Sequence, residues 1–224
     1  MSGDTSVAST VTRDNLFSGP TPTPKFGAVN VGASQTIVRG SVLGLITAGA
    51  VTSAAVVGSG AETIGSLALA AGGPAKPGAW LATCITAGAA GLFEVTDPDG
   101  KTVGVVATSA TFTGGGITFV ITDAGTDPAV GDYFAITVAA GAGTAQVLDK
   151  AATNGTQKIY GIAMEPLTTA GGGSGRIAVA LRGSFASQAV SFASGTVIAD
   201  VADDARLKGI YFDTSYAAGN AVGG

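Results

Sequence analysis

The side chains that could do chemistry are few, and most of the usual combinations cannot be assembled from them. The 224-residue chain has no histidine, which removes the commonest general base and metal ligand near neutral pH. Cys84 is its only cysteine, so neither an intrachain disulfide nor a zinc cluster can form. That thiol reads as a small buried hydrophobe. The glutamates are Glu62, Glu94 and Glu165. A pair of carboxylates could in principle cleave a glycosidic bond. Glu94, however, alternates with Phe93 and Val95 and reads as the solvent-facing residue of a strand. Asp97 and Asp99 could contribute oxygens to a calcium ion, but Asp123, Asp127 and Asp132 fall on other loops, and turn chemistry accounts for each aspartate. The run Gly171 to Arg176, GGGSGR, is glycine-rich. It lacks the Lys-Ser/Thr ending of a phosphate loop, no helix pattern follows it, and it reads as a hairpin loop. Serines are plentiful, but no G-x-S-x-G elbow occurs. These residues imply no enzyme, no cofactor and no metal.

The elements around them are short and β-rich. Charged residues make up 12% of the chain and glycines number 36. This composition disfavours long helices and suits strands joined by tight turns. The net charge is −4 with no basic run, so no nucleic-acid footprint is expected. Residues 40–61 and 102–122 carry no charge and are long enough to cross a bilayer. Glycine, serine and threonine interrupt both, so they read as strands and turns, and no membrane partner is expected. The start, MSGDTSVAST, lacks the pattern of a secretory signal, which implies synthesis in the cytoplasm.

Three regions follow from the patterning. Residues 1–25 show no period and contain the polyproline-like TPTP. Leu16 and Phe17, side by side, are not expected to form a core there. Residues 26–61 and 144–224 carry strand signals at Phe26–Asn30, SVLGLI, AQVLDK, KIYGIAM and RIAVALRGSF, with one helical turn expected near Asp203 or Asp204. Residues 62–143 form a module of their own, preceded by a linker-like stretch at about 58–78. In it WLATCIT places Trp80, Ala82 and Cys84 on one face. GITFVIT places Ile117, Phe119 and Ile121 on one face, and GDYFAITV does so with Phe134, Ile136 and Val138. The turn Asp97-Pro98-Asp99-Gly100 joins two of its strands. The predicted fold class is mainly β: a small mixed core interrupted by an inserted sandwich-like or barrel-like module.

Four stretches of the flanking parts resemble the head decoration protein of lambda-like tailed bacteriophages. They are Arg39-Gly40-Ser41-Val42-Leu43-Gly44, Tyr160-Gly161-Ile162-Ala163, Val179 to Phe185 (VALRGSF) and Leu207-Lys208-Gly209-Ile210-Tyr211-Phe212. The resemblance covers about half the chain and marks Arg39, Gly40, Leu43, Gly44, Gly161, Arg182, Gly183 and Gly209 as framework positions. It implies a capsid-stabilising protein that trimerises at threefold positions, binds the major capsid protein on the outside of the expanded head and reinforces it against DNA pressure. It also implies an N-terminal arm that orders against the shell, with Val11, Leu16, Phe17, Pro22 and Pro24 as the expected contacts. The inserted module departs from the short family pattern. The alternative is a phage adhesin or tail-associated carbohydrate-binding β module, whose partner would be a host-surface glycan.

Overall fold

The computed structural model describes residues 15–71 and 73–214. In chain order the strands are β1 (Phe17–Gly19), β2 (Lys25–Val31), β3 (Thr36–Ile37), β4 (Val42–Leu45), β5 (Ala48–Ser53), β6 (Thr63–Leu69), β7 (Gly78–Thr86), β8 (Leu92–Thr96), β9 (Thr102–Ala107), β10 (Thr111–Gly114), β11 (Ile117–Thr122), β12 (Tyr133–Ala140), β13 (Ala145–Val147), β14 (Ile159–Ala163), β15 (Leu167–Thr168), β16 (Gly175–Ala186) and β17 (Ile210–Asp213). One helix, α1 (Ile198–Leu207), precedes the last strand. The protein is mainly β, as its composition predicts.

The flanking segments build a closed five-stranded barrel. Its order is β16, β14, β4, β13 and β2, and β2 pairs back onto β16 from Lys25↔Arg182 to Val31↔Gly175. Closure leaves these strands without an open edge. Side chains of alternating positions fill the interior: Val29, Val31, Leu43, Ala145, Ile177 and Val179. A second apolar layer lies against α1, with Leu16, Val42, Ile162, Phe185, Val201 and Ala205 in it. The far half of β16 extends beyond the barrel. It takes β1 antiparallel through Phe17↔Phe185 and β17 parallel through Gly183↔Ile210.

α1 is a full ten-residue helix rather than the single turn expected at Asp203. The carboxylate of Asp200 accepts the Val197 N–H at 2.8 Å and so fixes the start. Gly209, at φ +73°, ends it by donating its N–H to Arg206 O at 2.9 Å. Val201 and Ala205, four apart on one face, are buried on the barrel.

The inserted module is a two-sheet sandwich. A five-stranded sheet, β5-β12-β7-β8-β9, faces a three-stranded sheet, β10-β11-β6. The three predicted apolar faces meet between them, and Trp80, Phe93, Phe119, Phe134 and Ile136 are among the largest buried side chains of the chain. Each such side chain contributes about 1.5–3 kcal/mol on burial.

Two boundaries differ from the sequence reading. The stretch read as a linker contains β6, which pairs with β11 from Ile64↔Ile121 to Leu69↔Ile117. Its Gly, Ser and Ala residues hide a strand that only a partner defines. The switch from barrel to sandwich falls between Leu45 and Ala48, not at residue 61, because β5 pairs with β12. The uncharged stretches 40–61 and 102–122 are divided among β4, β5, β9, β10 and β11. Among the described residues no helix is long and apolar enough to cross a membrane.

A single two-stranded ribbon joins the two units. β4 pairs with β13 up to Leu45↔Ala145, and β5 pairs with β12 from Ala48↔Ala140 onward. Between them Ile46 N–H donates to Thr144 O at 3.0 Å, and Gly141 N–H donates to Thr47 O at 2.9 Å. A loop from the barrel clamps this neck: Asn154 O accepts the N–H groups of Thr47 and Ala48 at 2.9 and 3.0 Å. The loop lies so close that a Cβ on Gly44 would stand 2.2 Å from Thr156 O. Gly44→Ala is therefore expected to lower unfolding stability by roughly 3 kcal/mol, measurable as a shift of the urea midpoint. An unchanged midpoint would show that the loop is free to retreat.

Candidate functional site

Framework and contact positions separate cleanly once the barrel is in view. Gly40, at φ +89°, is buried where the 187–192 segment crosses β4. Its N–H donates to Ala163 O at 2.8 Å and its carbonyl accepts from Ser191 N–H at 3.1 Å. A Cβ there would stand 2.1 Å from Ala189 O, so both the backbone angle and the space require glycine. Ser41 shares a hydrogen bond with Ser191 at 3.3 Å and accepts the Val38 N–H at 3.1 Å. RGSVLG is thus the crossing point of β4, β14 and the chain before α1. Arg39 is exposed and its Nε donates to Met164 O at 3.1 Å. Leu43 is fully buried inside the barrel. Gly161 lies on β14 against Ala180, Gly183 beside the Phe185 ring, and Gly209 against the stem of the exposed Arg182. All eight resemblance positions fall in the barrel or its β16–β17 extension.

The arm residues divide differently. Val11 lies outside the described residues. Leu16 is 1% exposed and belongs to the layer beneath α1, so it is an internal anchor rather than an accessible contact. The expectation that Leu16 and Phe17 form no core fails because β16 supplies the missing surface: Ala186 N–H donates to Leu16 O at 3.0 Å. Phe17 is half-buried, with its ring 5.0 Å from that of Phe185. Pro22 and Pro24 are half-buried on the approach to β2. Phe26, on the outward face of β2, is 56% exposed and packs edge-on against Phe17 at 6.1 Å. It was legible only as part of an extended segment, because nothing local says which face of β2 is wet. Phe17, Phe26 and the two prolines form an apolar margin where the chain enters the barrel.

Lys76 and backbone N–H groups gather around the acids of one sandwich turn. Lys76 Nζ sits 2.8 Å from Asp97 and 2.6 Å from Asp99. Asp97 also accepts the N–H groups of Asp99 and Lys101. The Lys76 ammonium foremost, and those N–H groups, hold the Asp97 carboxyl below its ordinary range. Among the described residues no three acidic, cysteine or histidine side chains come together as a metal site. Glu94 accepts the Thr102 hydroxyl at 2.8 Å, and Glu165, on the barrel, accepts the Ala178 N–H at 2.8 Å. These two glutamates therefore belong to different units. Glu62 is buried at the entry to β6, with both oxygens lacking a hydrogen-bond partner among the described residues. GGGSGR forms the turn from β15 into β16, closed by Gly173 N–H to Ala170 O at 3.0 Å. Burial pushes the Cys84 thiol up, and it donates to Thr86 O at 3.2 Å.

Asp132 is the polar knot that ties the loops at one end of the sandwich. Its Oδ2 accepts from Ser59 N–H (3.1 Å), Ser59 Oγ (3.3 Å), Gly60 N–H (2.9 Å) and Ala129 N–H (3.0 Å). The N–H groups of Ala129, then Gly60, hold its carboxyl below the ordinary carboxylate range. The aromatic side chains of the module point inward: Trp80, Phe93, Phe112, Phe119 and Phe134 are all buried, and Tyr133 alone faces out, half-buried.

No family model and no curated protein matches the chain. Two crystal structures of Xanthomonas campestris FlgL show a partial likeness. One is 16% identical, covers 52% of this chain and 41% of its own, and has a TM-score of 0.33. The other is 17% identical, covers 55% and 40%, and has a TM-score of 0.30. The chain thus spans about two fifths of the FlgL length.

Two outcomes are expected here. Leu16→Ala should cost about 2–5 kcal/mol in chemical denaturation, whereas Phe26→Ala, at an exposed position, should cost well under half of that. Asp132→Asn should lower stability at neutral pH. Because the folded carboxyl is depressed, its contribution is present above the unfolded value near 3.9 and fades as pH falls through the folded value. The gap between variant and parent should accordingly shrink in melts as the pH falls below the unfolded value. A gap constant with pH would mean that the Asp132 charge is immaterial.

Proposed function

We propose that this chain is a structural decoration protein of a phage head, bound as a homotrimer to the major capsid protein on the outer face of the expanded shell. The observation that carries the reading is spatial. The four stretches that resemble the family are separated by up to about 170 residues in sequence, yet they lie on strands that are immediate neighbours: β4 pairs with β14, β14 with β16 and β16 with β17. An unrelated set of short matches has no reason to converge on one barrel and its β16–β17 extension. The apolar margin of Phe17, Pro22, Pro24 and Phe26 supplies a contact surface next to the N-terminal segment. A trimer would dock three such margins at once, and linking weak sites raises avidity by roughly 10²–10⁴ when geometry permits. The adhesin reading has less support, since among the described residues of the sandwich Tyr133, half-buried, is the one aromatic side chain that faces outward.

The reading is tested by co-sedimentation with expanded heads stripped of their decoration protein. Because Leu16 belongs to the fold, the informative truncation removes residues 1–14 and stops there. Saturable binding by the full chain, weakened about tenfold or more by the truncation, is the expected result. Equal binding by both would place the anchor on the folded body. Failure of both to bind would overturn the proposal.

A further inference from the structure

The outward face of the five-stranded sheet differs from an ordinary wet sheet face. An exposed antiparallel face normally alternates polar and charged residues against the core. Here Glu94 is the only charged residue in all five strands, and its carboxylate is engaged by Thr102. One cross-strand row reads Tyr133, Thr83, Glu94, Val105. Around it Leu81 is 40% exposed, Ile85 44% and Val105 51%. The three-stranded sheet is also uncharged, but its outer face carries threonines, with Thr113 and Thr118 bonded to each other. The sandwich is thus asymmetric, with large aliphatic side chains exposed on one side only.

We propose that this five-stranded face is a self-association surface, on which two copies of the chain pack sheet to sheet through the same residues. Charge argues for a second copy as the occupant. The chain carries a net charge of −4, so two copies repel over most of their surfaces. The two sheet faces of the sandwich are where they can meet with at most one carboxylate each, and the exposed Leu81, Ile85 and Val105 single out the five-stranded one. Symmetry is consistent with this, because a twofold contact uses the same patch on both copies and so needs no second, complementary surface. Five strands at about 4.8 Å spacing and six residues at about 3.3 Å give a footprint of roughly 500 Å². That is at the small end for specific complexes, so the contact is weak in solution. It gains strength where copies are held side by side. The inference stands apart from the capsid reading and needs no capsid.

The test is sedimentation equilibrium of the full chain from about 10 µM to about 1 mM, with the double variant Leu81→Lys, Val105→Lys beside it. The expected result is a mass that doubles with concentration in the parent. The variant should show a dissociation constant raised about tenfold or more, with the near-ultraviolet signal of buried Trp80 unchanged. Thr83→Cys should cross-link between copies with a short bis-maleimide, while Thr113→Cys, on the opposite sheet, should not. These cysteine readings decide the matter if the lysine variant misfolds. A parent whose mass is constant with concentration, a mass rise indifferent to the lysines, or equal cross-linking from both cysteines would overturn the inference. None of those outcomes bears on head binding, and failure to bind heads does not bear on them.

Discussion

The hydrogen bonds that Asn154 O accepts from Thr47 and Ala48 hold the place on which the rest of the molecule turns. Below this point the ribbon is part of a closed barrel, and above it the same two strands enter an open sandwich. A ribbon of two strands alone is only marginally stable and twists freely. Here the loop of residues 154–157 braces it. Asn154 Oδ1 accepts from the Thr156 hydroxyl at 2.8 Å, and Gln157 accepts the Gly155 N–H at 2.7 Å. The brace works only because Gly44, Gly141 and Gly155 leave room for backbone against backbone. Such a join transmits orientation from one unit to the other, which a flexible linker does not.

On the proposed reading this architecture suits a passive structural part. Each unit closes its own core, with the sandwich interior separate from the two apolar layers of the barrel. An inserted domain of this kind can be large without disturbing the host, since both ends of the insertion leave from adjacent strands. The two proposed contact surfaces lie on different units. The apolar margin at Phe17 and Phe26 belongs to the barrel, whereas the uncharged sheet face belongs to the insertion. On the proposed reading, the barrel meets the shell and the sandwich meets its neighbours.

Two carboxylates of the sandwich hold its loops together. Asp132 gathers three backbone N–H groups and a hydroxyl from two loops, and Asp97 does the same for its turn while also holding Lys76. Loops rich in Gly, Ser and Ala have few large apolar side chains with which to anchor themselves. Carboxylates that accept several N–H groups take over that role.

What the sequence determined by itself was local. Alternation of Trp80, Ala82 and Cys84, or of Phe134, Ile136 and Val138, fixes which side of a strand is buried, because the side-chain period of a strand is two. The turn at Asp97–Gly100 and the loop at Gly171–Arg176 were equally legible, since their residues dictate backbone geometry. Tertiary structure decided everything that needs a distant partner. β6 is a strand because β11 pairs with it, and its run of small residues carries no such signal. Leu16 is core because β16 and α1 cover it, although the residues just before it, Arg13 to Asn15, are polar. The crossover from barrel to sandwich at Leu45–Ala48 is set by hydrogen bonds to residues about 100 positions away, and the wet face of β2, on which Phe26 stands, is defined only once the barrel closes.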